Sequence, residues 1–232
     1  MPAVPKQIAD IDKVLTTTRS VRRKLDLERP VEREVIEECL TLAQQATMGS
    51  NQEDWRFVAV TEPERKARIA ALYRLVWEET VEIPLRDRLP DTVARLDPGE
   101  RGTPAEQARQ QRILASVKYL VDNLERVPVL VFVCSAKPVP KTPLGDRTSG
   151  YYGSIMPIAW SLQLALRSRG LGSVMATAIV LKAAELSELL ELPEGTNPIT
   201  MLPVAYTKTL EFKRAPRLPV DRILRWERWG LE

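Results

Sequence analysis

The chain contains no histidine. That single absence removes the Ser-His-Asp triad, the histidine-assisted cysteine nucleophile and nearly every usual zinc or iron site. Acid–base work is left to carboxylates, lysine, tyrosine, water or a cofactor, and no metal site is expected. Cysteine is scarce as well: Cys39 and Cys134 lie far apart, form no CxxC pair, and read as two buried reduced thiols. The longest apolar run, Val129 to Cys134, falls far short of the ~20 residues of a membrane-spanning helix. The N-terminal stretch MPAVPKQIADIDKVL lacks the apolar core of a secretory signal, so a soluble, reducing, cytoplasmic protein is expected. Strong charge is missing too. The 34 basic and 31 acidic residues leave a net +3, too little to argue for nucleic acid, and the pI near 8.9 mildly favours anionic ligands. There is no Walker loop and no GxGxxG; GLGS at Gly170 to Ser173 follows a helix and does not open one.

What is present is a 232-residue chain, 44% hydrophobic, enough for one large domain with a real core. No linker, repeat or low-complexity tract divides it. Helical spacing predicts a short helix over Ile8 to Thr17 and a second one opened by Pro30. The second carries Glu32 and Glu34 in its first turn, buries Val31, Val35, Cys39, Leu42, Ala43 and Ala46, and ends at Gly49. Further helices are expected over Glu64 to Glu79, Pro104 to Arg126 (stripe Ile113, Val117, Leu120, Val121, Leu124), Ser154 to Arg169 and Lys182 to Leu190. Strands are expected at Arg56 to Thr61, Val129 to Cys134, Ser173 to Val180 and Ile199 to Tyr206. Gly170 suits a left-handed helix terminus. The stretch 84–104, rich in Pro, Arg and Asp, is too long for a plain connector and reads as a lid or a peripheral excursion. The tail from Lys213 is basic and then tryptophan-rich.

Two polar stretches carry the chemistry. In the first, Arg19, Ser20, Arg22 and Arg23 fall in one turn interrupted by apolar Val21. The planar fork of arginine matches phosphate oxygens and a serine hydroxyl adds a neutral donor, although a solvated basic turn has the same composition. The second, Met48-Gly49-Ser50-Asn51-Gln52, offers amide and hydroxyl donors without bulk, or a plain helix end and turn. Tyr73, Trp77, Tyr119, Tyr151, Tyr152 and Trp160 could line a pocket for a flat ligand or simply pack. Arg214 and Arg217 could reach an anion or remain a solvated basic tail.

Taken in order, these segments resemble the nitroreductase family of FMN-dependent flavoproteins. Arg19-Ser20-Val21-Arg22 matches the family's opening Arg-Ser-x-Arg turn, and Gly49-Ser50-Asn51 with Trp55 matches its Gly-Ser-Asn loop before an aromatic and a strand. Gly153-Ser154-Ile155 and Gly170-Leu171-Gly172 match the ends of a long helix, and Arg217 a basic residue after the last strand. The resemblance covers about Thr16 to Arg217. It implies an α+β nitroreductase-like fold, a small mixed central sheet surrounded by long helices, in an interlocked homodimer with FMN at the subunit interface. It implies that Arg19, Ser20, Val21 and Arg22 hold the phosphate and ribityl chain, joined by Arg217 and its neighbour Arg214. Met175, Ala176 and Thr177 would lie along the flavin ring, with the Thr177 hydroxyl as a donor near N5. Ser50 and Asn51 would come from the partner subunit, whose tail, residues 213–232, would reach across in return.

Two positions depart from the pattern. Thr18 stands where many members carry a further arginine, and Glu53-Asp54 where many carry Gln-Pro. A carboxylate beside a reduced, anionic flavin is unfavourable unless it is paired or turned away, so Gln52 replaces Glu53 among the candidates. The implied activity is reduction of a nitroaromatic, quinone or similar flat acceptor by NADH or NADPH in a ping-pong cycle. The cofactor carries the redox chemistry, so no protein catalytic residue is assigned. Two alternatives stay open: another flavin reaction, such as reductive dehalogenation or flavin fragmentation, and a flavin-binding protein without turnover.

Overall fold

The apolar run at the centre of the sequence also sits at the centre of the fold. In a computed structural model, which describes residues 10–83, 103–140 and 148–229, it forms strand β2 (Val129–Ser135), buried at every position. β1 (Trp55–Val60) pairs with one edge of β2 and β4 (Asn197–Tyr206) with the other; the two-residue β3 (Leu171–Gly172) completes the order β1-β2-β4-β3. All three ladders are antiparallel. Among the described residues the parallel contribution is confined to an isolated bridge between Ser20 and Ser173.

Both faces of β2 are covered, which explains why it reads as a continuous apolar run. Leu130, Phe132 and Cys134 face a core shared with α3 (Pro63–Trp77), α4 (Pro104–Asn123) and α6 (Ala183–Leu189). Val129, Val131 and Val133 face a second core shared with α2 (Arg33–Ala43) and α5 (Thr148–Ser168). The period of two along the strand sends alternate residues to opposite layers. A short α1 (Ile11–Thr17) precedes the arginine turn; the Asp10 carboxylate caps it by accepting from the backbone N–H groups of Asp12 and Lys13.

Several boundaries differ from the sequence reading. The second helix starts at Arg33, not at Pro30, because Asp26 accepts from the N–H groups of Glu28 and Arg29 and Glu32 stays extended. Its inward positions are Ile36, Cys39 and Ala43, Leu42 is exposed, and it ends at Ala43 before Gly49. α3 continues into a π-helical turn, Glu78–Glu82. α4 opens with a capping box between Thr103 and Glu106, and Ile113 faces outward. α5 starts about a turn and a half before Ser154. The expected strand Ser173 to Val180 is not formed: two-residue β3 ends just before it, Ser173 and Ala176 make isolated bridges, and a 3₁₀ turn covers Thr177–Lys182. The pairing nevertheless holds register to its end: Leu171 faces Tyr206, Gly172 faces Ala205 and Ala176 bridges Met201. Gly170 is left-handed at φ +79, as its place after α5 demands. Of the suspected lid, 84–102 lie outside the described residues, as do the last three residues of the tail.

Candidate functional site

The arginine turn is seated on the end of the sheet by its backbone. Val21 is buried and its N–H donates to the Ser173 carbonyl at 2.9 Å, beside the Ser20–Ser173 bridge. The Asp26 N–H donates to the Tyr206 carbonyl at 2.8 Å and the Lys208 N–H to the Lys24 carbonyl at 2.9 Å. The turn and the segment leaving β4 therefore run side by side. The approach is close enough to require glycine at 172, where a Cβ would meet Thr207 Cγ2 at 2.7 Å and Val21 Cβ at 3.0 Å. Gly-Leu-Gly is thus a packing requirement of the turn itself.

Between these two segments lies an open cleft of about 340 Å³, lined by Arg19, Ser20, Arg22, Arg23, Lys24, Lys213 and neighbouring Ser116, Thr209, Glu211 and Phe212. Five cations face it against one carboxylate, which suits a phosphate or another compact anion. Arg19 Nη1 donates to the Lys213 carbonyl at 2.9 Å, and Arg23 Nη2 to the Ala115 carbonyl at 3.1 Å. Burial draws the Arg22 pKa down and nearby Tyr73 partly offsets this. An anion entering the cleft would offset the cost of that desolvation by favouring the charged form. Val21 also borders the cleft, although almost wholly buried, and seats the turn.

From Ser173 the chain follows β4 in register through Met175, half-buried, and Ala176, whose N–H donates to the Met201 carbonyl at 2.8 Å. It then turns at exposed Thr177. The candidates 175–177 thus extend away from the cleft along one sheet edge, as a ring and its phosphate tail would require. Arg214 is exposed beside cleft-lining Lys213, whereas Arg217 is exposed and its Nη1 donates to the Pro216 carbonyl. Of the tail's cations it is Lys213, not the expected Arg217, that lines the cleft.

The Gly-Ser-Asn loop is built elsewhere. Ser50 and Asn51 are exposed, with positive φ of 55 and 51. The Gly49 N–H donates to Ser154 Oγ at 2.9 Å, and Ser154 Oγ donates to the Gly150 carbonyl at 2.8 Å, so the loop and the Gly-Ser-Ile segment form one unit. A Cβ at Gly49 would come within 2.9 Å of that Oγ. Lys137 pairs with Asp54 at 2.6 Å and also donates to the Gln52 side chain, which neutralises the atypical carboxylate at 54. Glu53 is exposed. This unit adjoins the Asn197 end of β4, since Asn197 Nδ2 donates to the Lys137 carbonyl and Ser135 pairs with both Trp55 and Asn197. The arginine turn adjoins the Tyr206 end. Ten residues at about 3.3 Å each put the two ends about 30 Å apart within one chain.

Sequence reasoning missed Lys213 and Lys24, whose signal was only their adjacency to named cations. It also missed Gln163 and Arg167, polar residues on the inward stripe of α5. Among the described residues no group of His, Cys, Asp or Glu could hold a metal, and no helix is long and apolar enough to cross a membrane.

The model of the nitroreductase family matches residues 15–206. The chain is 28% identical over 222 residues to an iodotyrosine deiodinase from Nematostella vectensis, spanning 94% of this chain and 75% of that protein. Among solved structures, an iodotyrosine deiodinase bound to FMN and 3-iodo-L-tyrosine superposes with a TM-score of 0.69 at 23% identity, over 95% of this chain and 100% of that one. The NADPH:FMN oxidoreductase of Vibrio harveyi, complexed with NAD+, gives 0.63 at 18% identity, over 95% and 78%. A nitroreductase-like protein from Bacillus cereus gives 0.61 at 19%, over 94% and 96%.

Proposed function

The chain belongs to the nitroreductase family of flavoproteins, and from that premise we propose that it is an FMN-dependent oxidoreductase that uses NADH or NADPH to reduce a nitroaromatic, quinone or similar flat acceptor. The observation that carries this reading is the cation-lined cleft at Arg19–Lys24, from which residues 173–177 lead away in register along β4. A phosphate fits the donor set of the cleft. When bound, FMN would supply the two-electron redox chemistry, which does not depend on a histidine acid or base.

The protein's own residues supply binding and orientation. Arg19, Ser20 and Arg22 hold the phosphate end, with Lys213 adding charge from the tail. Met175 and Ala176 would give the ring an apolar edge, and the Thr177 hydroxyl would serve as a donor near N5. Ser50, Asn51 and Gln52 come from a second copy of the chain, because within one chain they lie too far from the clamp. Arg214 and Arg217 belong to a tail that reaches the partner. Titration of the full chain with FMN, followed by NADH or NADPH and a quinone under anaerobic conditions, tests the reading. Tight FMN binding, bleaching by nicotinamide and recovery by quinone are expected. No FMN binding overturns it, and binding without bleaching leaves either a flavin-binding protein or the second reading below.

A second reading, reductive dehalogenation of a halogenated phenol, is favoured by the similarity to two iodotyrosine deiodinases. Halide release from a halotyrosine by chemically reduced holoenzyme, without nicotinamide, would select it over the first.

A further inference from the structure

We propose that Arg167 is a positioning residue for the phosphate clamp: a buried guanidinium on α5 that holds the arginine turn and the tail in register with each other. The proposal rests on the FMN reading above.

Arg167 is 2% exposed. Its Nε and Nη2 donate to Thr17 Oγ1 at 3.4 and 3.3 Å, two residues before Arg19. Nη2 also donates to the Leu210 carbonyl at 2.6 Å, and the guanidinium lies 4.7 Å from the centroid of the Phe212 ring. Phe212 lines the cleft together with Glu211 and Lys213. One side chain thus grips both walls from beneath, while Arg19 and the Lys213 carbonyl join them above. One turn earlier on α5, Gln163 Nε2 donates to Ser173 Oγ at 3.0 Å, at the residue on which the turn is seated.

The energetics point the same way. Arg167 Nη1 is buried with no hydrogen-bond partner among the described residues. A buried cation with an idle donor is an expensive way to fill space, and an apolar side chain of similar volume would avoid the desolvation. What an apolar side chain would lack is a rigid fork able to reach Thr17 and Leu210 at once.

The test compares FMN with riboflavin, which differs only in lacking the phosphate, on full-length wild type, Arg167→Met, Arg167→Lys and Thr17→Val. A misplaced clamp loses phosphate recognition while ring binding survives. Arg167→Met is expected to lower the FMN-over-riboflavin preference roughly tenfold, the scale of one misplaced charge-assisted hydrogen bond. Riboflavin affinity and Tm should hardly change, and Arg167→Lys should recover part of the preference. Equal losses of FMN and riboflavin affinity, or an unchanged preference, would overturn the proposal. If Arg167→Met does not fold, Thr17→Val decides by the same ratio: a fall supports the role and no change overturns it. Arg19→Ala separates the two levels. If it too leaves the preference intact, the clamp reading itself fails; if it abolishes the preference while Arg167→Met does not, only the positioning role falls.

Discussion

A few side chains decide whether the arginine turn is a binding site or a basic patch. Arg19 reaches the Lys213 carbonyl with one nitrogen and still lines the cleft. Arg19→Ala is therefore expected to weaken FMN binding by about 1.5–3 kcal/mol, the value of a lost charge-assisted hydrogen bond, as read by fluorescence titration. An unchanged dissociation constant would show that the phosphate lies elsewhere. Gly172 makes an independent test of the seating. A methyl group there meets Thr207 and Val21 at or below 3.0 Å. Gly172→Ala should destabilise the fold by about 1–3 kcal/mol through overpacking, seen as a lowered urea midpoint. On the proposed reading it should weaken FMN binding as well, because Val21 sits between Arg19 and Arg22, the two cations assigned to the phosphate. At this scale the sequence was legible where residue type and chemistry coincide. Arg-Ser-x-Arg marks clustered donors, and the structure lines a cleft with them, whereas Arg167 stayed hidden because nothing in a single sequence marks an arginine that points inward.

At the scale of elements, α2 is tied to the end of β4 by one hydrogen bond with a pH signature. Tyr206 OH donates to Glu32 Oε2 at 2.6 Å, and Arg29 lies 3.4 Å over the Tyr206 ring. Burial and then Glu32 push the Tyr206 phenol up to about 12 from its ordinary 10, while the bond to Tyr206 lowers the Glu32 carboxyl. A raised phenol contributes stability that is complete below pH 10 and is lost as pH climbs toward 12. A lowered carboxyl contributes stability present above its ordinary value and lost as pH falls through its folded one. Tyr206→Phe should flatten both edges of the stability–pH curve measured by denaturant unfolding, and an unaltered alkaline edge would contradict the assignment. The same elements explain which boundaries were readable. β2 is legible because both of its faces are buried. β4 starts two residues before the expected Ile199 because it still pairs through Pro198, a residue that a strand pattern disfavours. The strand expected at Ser173 to Val180 fails after Ala176, where the chain leaves β4 for a 3₁₀ turn, a tertiary choice that local propensity does not encode.

For the whole molecule, the proposed reading must explain how clamp and loop, assigned to one flavin site, lie at opposite ends of the same sheet. Clamp and loop are separated by about the length of β4, roughly 30 Å, and no flavin could bridge them within one chain. The tail beyond Lys213 meanwhile leaves Leu218, Val220, Ile223, Trp226 and Trp229 in solvent, the last two 79% and 81% exposed. Apolar surface on that scale calls for a cover. A symmetric pair, as proposed above, would account for both facts, with each tail lying on the other copy and each loop completing the other copy's clamp. The arrangement makes a prediction that no single-chain site would meet. A clamp variant, Arg19→Ala/Arg22→Ala, and a loop variant, Ser50→Ala/Asn51→Ala, should each bind FMN poorly as a pure dimer. After co-refolding, each mixed dimer combines the intact clamp of one chain with the intact loop of the other at one site, and both lesions at the other. FMN binding should therefore reappear at one site per mixed dimer, measurable by flavin stoichiometry on dimers purified through two different tags. If the mixed dimer binds no better than its parents, clamp and loop do not meet across the interface, and the site must be rebuilt within one chain.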